Sequence, residues 1–486
     1  MCLFELDCRL EEWSINELQN TQWQCGLDEF YAFHRQEVLT KYPRLLIGAI
    51  ANETPEIILR QPGDLSPVPY GEPGYLQGFK SPYFNDSHRR FQKAVRKFVE
   101  EDILPDAAVS EATDKPATPD VFKKMGQFGI LAARIGPGEH MKLFPNLPGG
   151  VKHEEFNHFH EMIAHEEFSH IGFPGYCDSL ATGMVIGLPP VLRFAQKPLR
   201  DKVVAEVLRG EKRICLSITE PHAGSDVASI QTRAVKTPDG KFYIVNGVKK
   251  WITNGTFCDY FSTAVRTGDG PGGISMLLIE RSEGLETKPI KTSYSGAAGT
   301  SYIIMENVKV PVENLLGKEG GGFPVIMYNF NHERWLIVCG ILRSTRLLVE
   351  ECFKWANQRT IFGKQLIQQP VIRAKLAQMV SEVESLQNWL ENITYQMDNM
   401  SYKEQSVKLA GPIALLKYKC SRVAHLVSDH ACQIFGGRAI TKTGMGRIAE
   451  SFQRTYQFGA ILGGSEGVIA DLGIKQAMKN FPNARL

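Results

Sequence analysis

The chain has 486 residues, of which 43% are hydrophobic and 22% charged. That balance excludes disorder, collagen and a small disulfide scaffold, and at roughly 150 residues per domain the length suits about three domains. With 55 Lys and Arg against 53 Asp and Glu, the net charge of +2 gives no argument for nucleic acid or an anionic membrane as partner.

The ten cysteines are scattered without a C-x-x-C pair, which suits free thiols in a reducing compartment better than zinc or disulfides. No apolar run approaches the roughly 20 residues that span a bilayer. The first residues, Met-Cys-Leu-Phe-Glu-Leu-Asp, carry neither a signal-peptide nor a transit-peptide pattern.

In chain order, the stretch before residue 60 stands apart. A turn-rich linker follows from Gln61 to Gly78, with Pro62-Gly63 and Gly71-Glu72-Pro73-Gly74. Ser87 to Phe98 predicts a helix, since Phe91, Val95 and Phe98 recur at helical spacing. Helical patterns continue to about Gly210. From Ile214 to Val310, short β-branched and aromatic runs alternate with turns. Thr237-Pro238-Asp239-Gly240 reads as a turn, and Asn246-Gly247 between alternating apolar residues reads as a hairpin. Helix returns from Phe323 to Gln358 and continues to about Lys479. Helices, a β block and helices again argue for an α+β multidomain chain rather than an alternating parallel sheet. Neither G-x-G-x-x-G nor G-x-x-x-x-G-K-[ST] occurs.

Three stretches could carry chemistry. His153 to His170 holds five histidines among five glutamates. Without H-E-x-x-H it argues against a metal and reads as the solvated face of a helix, with Phe156, Phe159, Ile163 and Phe168 buried. Glu333 falls on the apolar stripe Ile326, Phe330, Ile337, Ile341 and Leu348. A carboxylate there is desolvated, its pKa rises, and it suits proton abstraction near neutral pH. A surface ion pair or capping contact with Arg334 is the competing reading. Thr219 to Asp226 is rich in small residues, which fits close approach to a ligand or an ordinary tight turn.

At these residues a resemblance emerges. Ile218-Thr219-Glu220-Pro221 with Ala223-Gly224-Ser225-Asp226 resembles the T-E-P-x-A-G-S-D signature of the acyl-CoA dehydrogenases. Trp251-Ile252-Thr253-Asn254-Gly255 matches W-I-T-N-G, Arg359-Thr360-Ile361-Phe362-Gly363-Lys364 resembles R-x-x-F-G-K, and Gln433-Ile434-Phe435-Gly436-Gly437 matches Q-x-F-G-G. Their order and spacing agree with that family over about residues 80–480. The resemblance implies an N-terminal helical domain (80–213), a central β-barrel or sandwich domain (214–312) and a C-terminal four-helix domain (313–486). It also implies noncovalent FAD and α,β-dehydrogenation of an acyl-CoA thioester to a trans-2-enoyl-CoA.

Most members carry the base as the Glu of a Y-E-G-T segment, and that position here is Gly463 in Ile461-Leu462-Gly463-Gly464-Ser465. Isovaleryl- and long-chain-type members carry it on the earlier helix, in a segment like L-E-R. Asn331-His332-Glu333-Arg334 matches that segment, so both lines of reasoning lead to Glu333 as catalytic base.

The resemblance implies flavin contacts at Leu216, Ile218, Thr219, Ser225, Trp251 and Thr253. It implies reach to a neighbouring subunit's flavin from Arg359, Phe362, Gln433 and Gly437, hence a homodimer or homotetramer. Ser465 matches a position near the adenosine end. Ser225, Asn331, Arg334 and Gly464 match positions near the acyl-CoA. The family's Gln after F-G-x-x-L is Pro370 here, only Thr300 survives of R-x-S-x-T, and three residues are inserted between Gly437 and Arg454. These departures leave chain length and branching open.

The tail Ala484-Arg485-Leu486 is related to the Ser-Lys-Leu peroxisomal address. It points to the peroxisome, with mitochondrion or cytoplasm as the alternatives. The electron acceptor is then either an electron-transferring flavoprotein or oxygen. A same-fold flavoenzyme acting on a non-CoA substrate such as a nitroalkane is the alternative activity. Residues 1–60 resemble the second half of a cytochrome b5 domain, from Gly26 through His34 to Gly48. His34 matches one haem ligand and the H-P-G-G ligand is missing, so a truncated remnant without haem is expected, with 61–79 as the linker. A non-catalytic haem or regulatory remnant is the rival from another class.

Overall fold

The computed structural model describes residues 60–479 and 481. The b5-like stretch with His34 and the Ala484-Arg485-Leu486 tail lie outside the described residues.

Seven helices come first: α1 (Asp86–Phe98), α2 (Leu104–Thr113), α3 (Pro119–Gln127), α4 (Ile130–Ala133), α5 (His158–Ser169), α6 (Pro174–Phe194) and α7 (Lys197–Leu208). Strands follow: β1 (Ile214–Ser217), β2 (Arg233–Lys236), β3 (Phe242–Ile252), β4 (Tyr260–Arg266), β5 (Ile274–Glu280), β6 (Leu285–Pro289), β7 (Ser301–Pro311) and β8 (Leu315–Leu316). The long helix α8 (Gly322–Gln358) leads to a small hairpin, β9 (Thr360–Ile361) and β10 (Lys364–Gln365). The chain then continues in α9 (Pro370–Asn399), α10 (Tyr402–Lys408), α11 (Ala410–Phe435), α12 (Arg447–Ile461) and α13 (Glu466–Met478).

Two helix starts show why the chain folds locally as it does. Asn85 caps α1 and Asn157 caps α5, each in a capping box closed by the histidine at the third helical position. The boxes then bind each other: His88 Nε2 lies 3.0 Å from Asn157 Oδ1, Ser87 Oγ lies 2.9 Å from His160 Nε2, and the two imidazoles stack at 4.0 Å.

The sheet runs β6-β7-β3-β2-β4-β5-β8, with β1 beside β4 in parallel. The central strands β4 and β5 are buried on both faces, successive side chains pointing to opposite sides. Tyr260 and Ala264 of β4 join the helical core, whereas Phe261 and Val265 join the sheet's own core with Tyr243, Leu277 and Val310.

Two expectations are corrected. Asn246-Gly247 does not turn a hairpin; β3 runs straight through it with a bulge between Val245 and Gly247. Gly247 has φ +150° and lies where a Cβ would meet Thr232 Cα at 2.7 Å, and Asn246 is instead tied across the sheet by the Asn307 N–H at 2.8 Å. The turn at Thr237–Gly240 does join β2 to β3.

Second, α5 does not present a solvated face. His160, Glu161, His165, Glu166 and Glu167 are all buried, and all but His165 are bonded to distant residues. Glu167 binds Arg96 and Gln92, Glu161 binds His332, and Glu166 accepts from Gln387. Among the described residues no His, Cys, Asp or Glu cluster is placed to hold a metal.

The turn-rich segment before α1 is strapped to the body. Glu72 sits between two buried guanidinia, accepting from Arg96 at 2.8 and 3.0 Å and from Arg343 at 2.8 Å. Arg343 also donates to the Gly71 carbonyl at 2.8 Å, and Ser66 donates to Glu350 at 2.7 Å. Burial opposes ionisation of Glu72, but Arg343 and Arg96 outweigh it and hold the carboxyl far below its usual range. Removing one partner strands buried charge, a loss of about 3–5 kcal/mol. Glu72→Ala therefore lowers the chemical-denaturation midpoint markedly, whereas Arg89→Ala, whose only ion pair is exposed, leaves it almost unchanged.

Candidate active site

Glu333 lies in the N-terminal third of α8 and is 7% exposed. Its Oε1 accepts from Asn329 Nδ2 at 3.1 Å, and the same amide donates to the Val185 carbonyl of α6 at 3.3 Å. The carboxylate thus faces the α6 side of the helix. No ion pair of the described residues includes it: Arg334 turns away, donating to the Gly463 carbonyl at 3.0 Å and to Asn331 Oδ1 at 3.3 Å. Burial pushes the Glu333 carboxyl up to about 7, against the Asn329 hydrogen bond and the charges of His332 and Arg334. The expected desolvation is therefore found, without the surface pair with Arg334.

Beside it, His332 Nε2 lies 2.6 Å from Glu161 Oε1. Burial opposes charging of this imidazole, but the Glu161 charge prevails and raises its pKa.

The Ile461–Ser465 turn runs against the same stretch of α8. Gly463 has φ +70°, and a Cβ there would meet Ile337 Cδ1 at 2.9 Å. Gly464 has φ +113°, and its carbonyl accepts from the buried Lys417 Nζ at 2.6 Å. Any side chain at 463 would be strained and crowded by the turn of helix that follows Glu333. Ser465 caps α13.

The two sequence signatures of the sheet meet at the ends of β1 and β3. The Lys250 N–H donates to the Thr219 carbonyl at 2.8 Å. The buried Lys249 ammonium reaches Glu220 Oε1 at 2.8 Å and the Ile218 carbonyl at 2.9 Å. Glu220 in turn accepts from the Gln231 and Thr232 N–H groups at 2.6 and 3.0 Å. This pair, absent from the sequence reading, fixes the segment carrying Leu216, Ile218, Thr219 and Ser225. The alternation of β3, which puts Lys249 on an inward position, was the available signal.

Asn254 locks the second signature. It donates to the Asp178 and Ala298 carbonyls, each at 3.0 Å, and accepts from the Gly183 N–H at 2.8 Å. Between these anchors Trp251 is held at φ +66° with its indole 52% exposed, while Thr253 is buried beneath. Strained backbone in a non-glycine residue is characteristic of ligand sites.

The remaining residues form a separate exposed corner. Phe362 and Gly363, with φ +49° and +69°, turn the β9–β10 hairpin and leave the phenyl ring 93% exposed. Gln433 and Gly437 are exposed at the end of α11. The two parts are joined by Trp355, which stacks on Phe435 at 5.7 Å and lies under the Arg438 guanidinium at 4.9 Å; Arg359 is close enough to Arg438 to lower its pKa alongside burial. Thr300 keeps a buried hydroxyl without a partner.

The described residues fit an FAD. Trp251 offers an exposed flat ring, and Gly224 has open space where a Cβ would point. Leu216, Ile218, Thr219, Ser225, Trp251 and Thr253 would hold its ring and pyrophosphate.

Comparison with known proteins agrees. Family models for the acyl-CoA dehydrogenase N-terminal, middle and C-terminal domains match residues 85–211, 215–308 and 320–478. The acyl-CoA dehydrogenase apdG of Emericella nidulans is 41% identical over 438 residues, which is 86% of this chain and 97% of that protein. A probable acyl CoA dehydrogenase from Mycobacterium abscessus superposes with a TM-score of 0.72 at 28% identity, over 81% of this chain and all of that one. So does an acyl-CoA dehydrogenase complexed with FAD from Bacillus anthracis, with a TM-score of 0.72 at 25% identity over 83% of this chain and 69% of that one. With its three domain models in order and a relative of this identity along nearly its whole length, the chain belongs to the acyl-CoA dehydrogenase family.

Proposed function

We propose that Glu333 is the base that takes the α-proton of an acyl-CoA thioester, giving a trans-2-enoyl-CoA. Family membership carries FAD-dependent dehydrogenation of acyl-CoA thioesters; the identity of the base and the product rest on Glu333. The observation that carries the reading is an unpaired carboxylate, buried on the α6 side of α8, with burial lifting its pKa to about 7. A base tuned so is ionised at working pH yet strong enough to accept a carbon acid's proton. FAD, when bound, supplies the two-electron acceptor for the β-hydrogen.

Asn329 holds the carboxylate in place. Arg334, Asn331 and the Gly463–Gly464 turn form the adjoining wall for the thioester end, and Ser225 joins them on the family's pattern. A side chain at 463 would press on Ile337 and Arg334 of this wall, which glycine avoids.

The corner carrying Arg359, Phe362, Gln433 and Gly437 serves a neighbouring copy's flavin in a homodimer or homotetramer; an exposed phenyl held in left-handed backbone supports this. The acceptor is an electron-transferring flavoprotein or oxygen, oxygen being the version that a peroxisomal enzyme would use. Hydrogen peroxide formed stoichiometrically in aerobic turnover supports that version, and its complete absence leaves an electron-transferring flavoprotein.

Three outcomes check this reading. Glu333→Gln slows anaerobic flavin bleaching by acyl-CoA about 10²–10⁴-fold, and the wild-type rate climbs with pH through about 7; a Gln variant that bleaches at the wild-type rate refutes the assignment.

The same carboxyl has a stability signature. Its folded pKa of about 7 exceeds its ordinary 4.5, so the folded state holds the extra proton and wild-type stability from this group falls as pH rises between those values. The melting temperature of Glu333→Gln relative to wild type therefore climbs from about pH 5 to pH 7.

Phe362→Asp shifts sedimentation toward a smaller species and weakens FAD retention. Unchanged assembly and retention would remove the corner from the interface.

A further inference from the structure

Arg134, at the C-terminal end of α4, is 5% exposed. A guanidinium this deep is ordinarily paired with a carboxylate, as Arg96, Arg343 and Arg346 are here. Among the described residues Arg134 has no such partner. Its Nε–H and Nη1–H are buried without an acceptor, and its close neighbour is the face of Phe168, 4.8 Å from the guanidinium carbon. Burial pulls its pKa down to about 10, with Cys177 and Asp178 near enough to oppose the fall.

The nearest carboxylate is held elsewhere. Asp178 accepts from the Thr182 hydroxyl at 2.7 Å and the Tyr294 hydroxyl at 2.7 Å. Tyr294 is itself fixed by stacking on Phe458 at 4.1 Å. On the α5 side, His165 is buried and feels the Arg134 charge; its Nε2 lies 3.7 Å from Glu161 Oε1, too far for a hydrogen bond, and the Oε2 of Glu161 is buried without a partner. The region where α4, α5 and α6 meet thus holds several polar atoms without hydrogen-bond partners, among them the Arg134 guanidinium, which no carboxylate of the described residues meets at ion-pair distance.

This region adjoins the walls of the Glu333 cleft. α5 touches the base's neighbour through Glu161 and His332, and α6 touches its partner Asn329 at Val185. Asp178, Thr182 and Val185 recur along one face of α6, so Arg134 stands about 10 Å along that helix from the level of the base.

We infer that Arg134 closes the acyl channel as a subsite for a carboxylate at the far end of the acyl chain, so that the substrate class is the mono-CoA thioester of a dicarboxylic acid. The inference rests on the acyl-CoA reading above. The carboxylate would supply the counter-ion and acceptors that the fold withholds, in charge-assisted hydrogen bonds.

The test is anaerobic titration of the FAD-loaded protein with pairs of thioesters of equal length, one plain and one ω-carboxylated, from short to medium chains. At the matching length the ω-carboxylated thioester is expected to half-bleach the flavin at about a tenfold lower concentration or less. Arg134→Met is expected to abolish that preference, and Arg134→Lys, which keeps the charge but loses the fork, to retain part of it. Plain thioesters binding as well or better at every length in the wild type would overturn the inference and leave Arg134 merely hydrated. So would a folded Arg134→Met protein that keeps the preference. The wild-type series decides alone if the variants do not fold. Bleaching by neither kind of thioester would overturn the acyl-CoA reading itself, a result distinct from bleaching without preference.

Discussion

The buried charges of Glu72, Arg96, Glu167 and Arg343 bind the strap before α1 to α1, α5 and α8. Each guanidinium and carboxylate there has lost water, and their mutual contacts compensate together with hydrogen bonds from Gln92 and the Ser66 N–H and to the Gly71 carbonyl. The arrangement works as one unit, so the position of α8 depends on all four. Arg343 lies ten residues beyond Glu333 on that helix, about 15 Å along its axis. Glu72 and Glu333 are both buried glutamates, yet their environments drive them in opposite directions. Two guanidinia bonded to Glu72 keep it ionised, whereas Glu333 has charges near it but none bonded to it, and burial lifts its pKa. The helix is anchored by paired charge at one point and carries an unpaired one at another.

The wall opposite a base matters as much as the base. Gly463 and Gly464 bring their turn onto α8 in backbone that other residues adopt at a cost. Arg334 and Lys417 hold it by its carbonyls, so two cations stand beside the cleft without pairing to Glu333. Burial lowers the Lys417 pKa to about 8, with the Arg334 charge adding to the fall. A cleft of this kind favours charge that develops on a thioester oxygen while leaving the base free to accept a proton.

Periodic features were legible in the sequence. The order of helices, sheet and helices follows from the spacing of apolar residues, and so does the place of Glu333 on its stripe, because one helix face decides both. What escaped depended on partners far along the chain. Asn246-Gly247 has the φ > 0 chemistry of a two-residue hairpin and of a bulge alike, and only Asn307 on β7 selects the bulge. The polar face of α5 looks solvated until Arg96, His332 and Gln387 are brought to it. Lys249 with Glu220 hides for the same reason. Arg134 could not be singled out, since nothing local marks an arginine that folding leaves without a counter-ion.

Strained backbone tells a related story. Trp251 and Phe362 are large apolar residues in left-handed conformation, and both are exposed. Such backbone costs roughly 1–2 kcal/mol for a residue with a Cβ, and exposure returns little of it from within the chain. Trp251 has the Lys250 ammonium 4.7 Å over its ring, a contact worth only about 0.5–1 kcal/mol at an exposed site. Asn254, by contrast, has φ +64° but recovers the cost through three hydrogen bonds. The difference between Asn254 and the two aromatics is where compensation comes from: inside the chain for the first, and, on the proposed reading, from a bound flavin and an adjoining subunit for the others. Loss of FAD should therefore loosen the Trp251 segment before it affects Asn254, because only the first relies on the cofactor to hold its conformation.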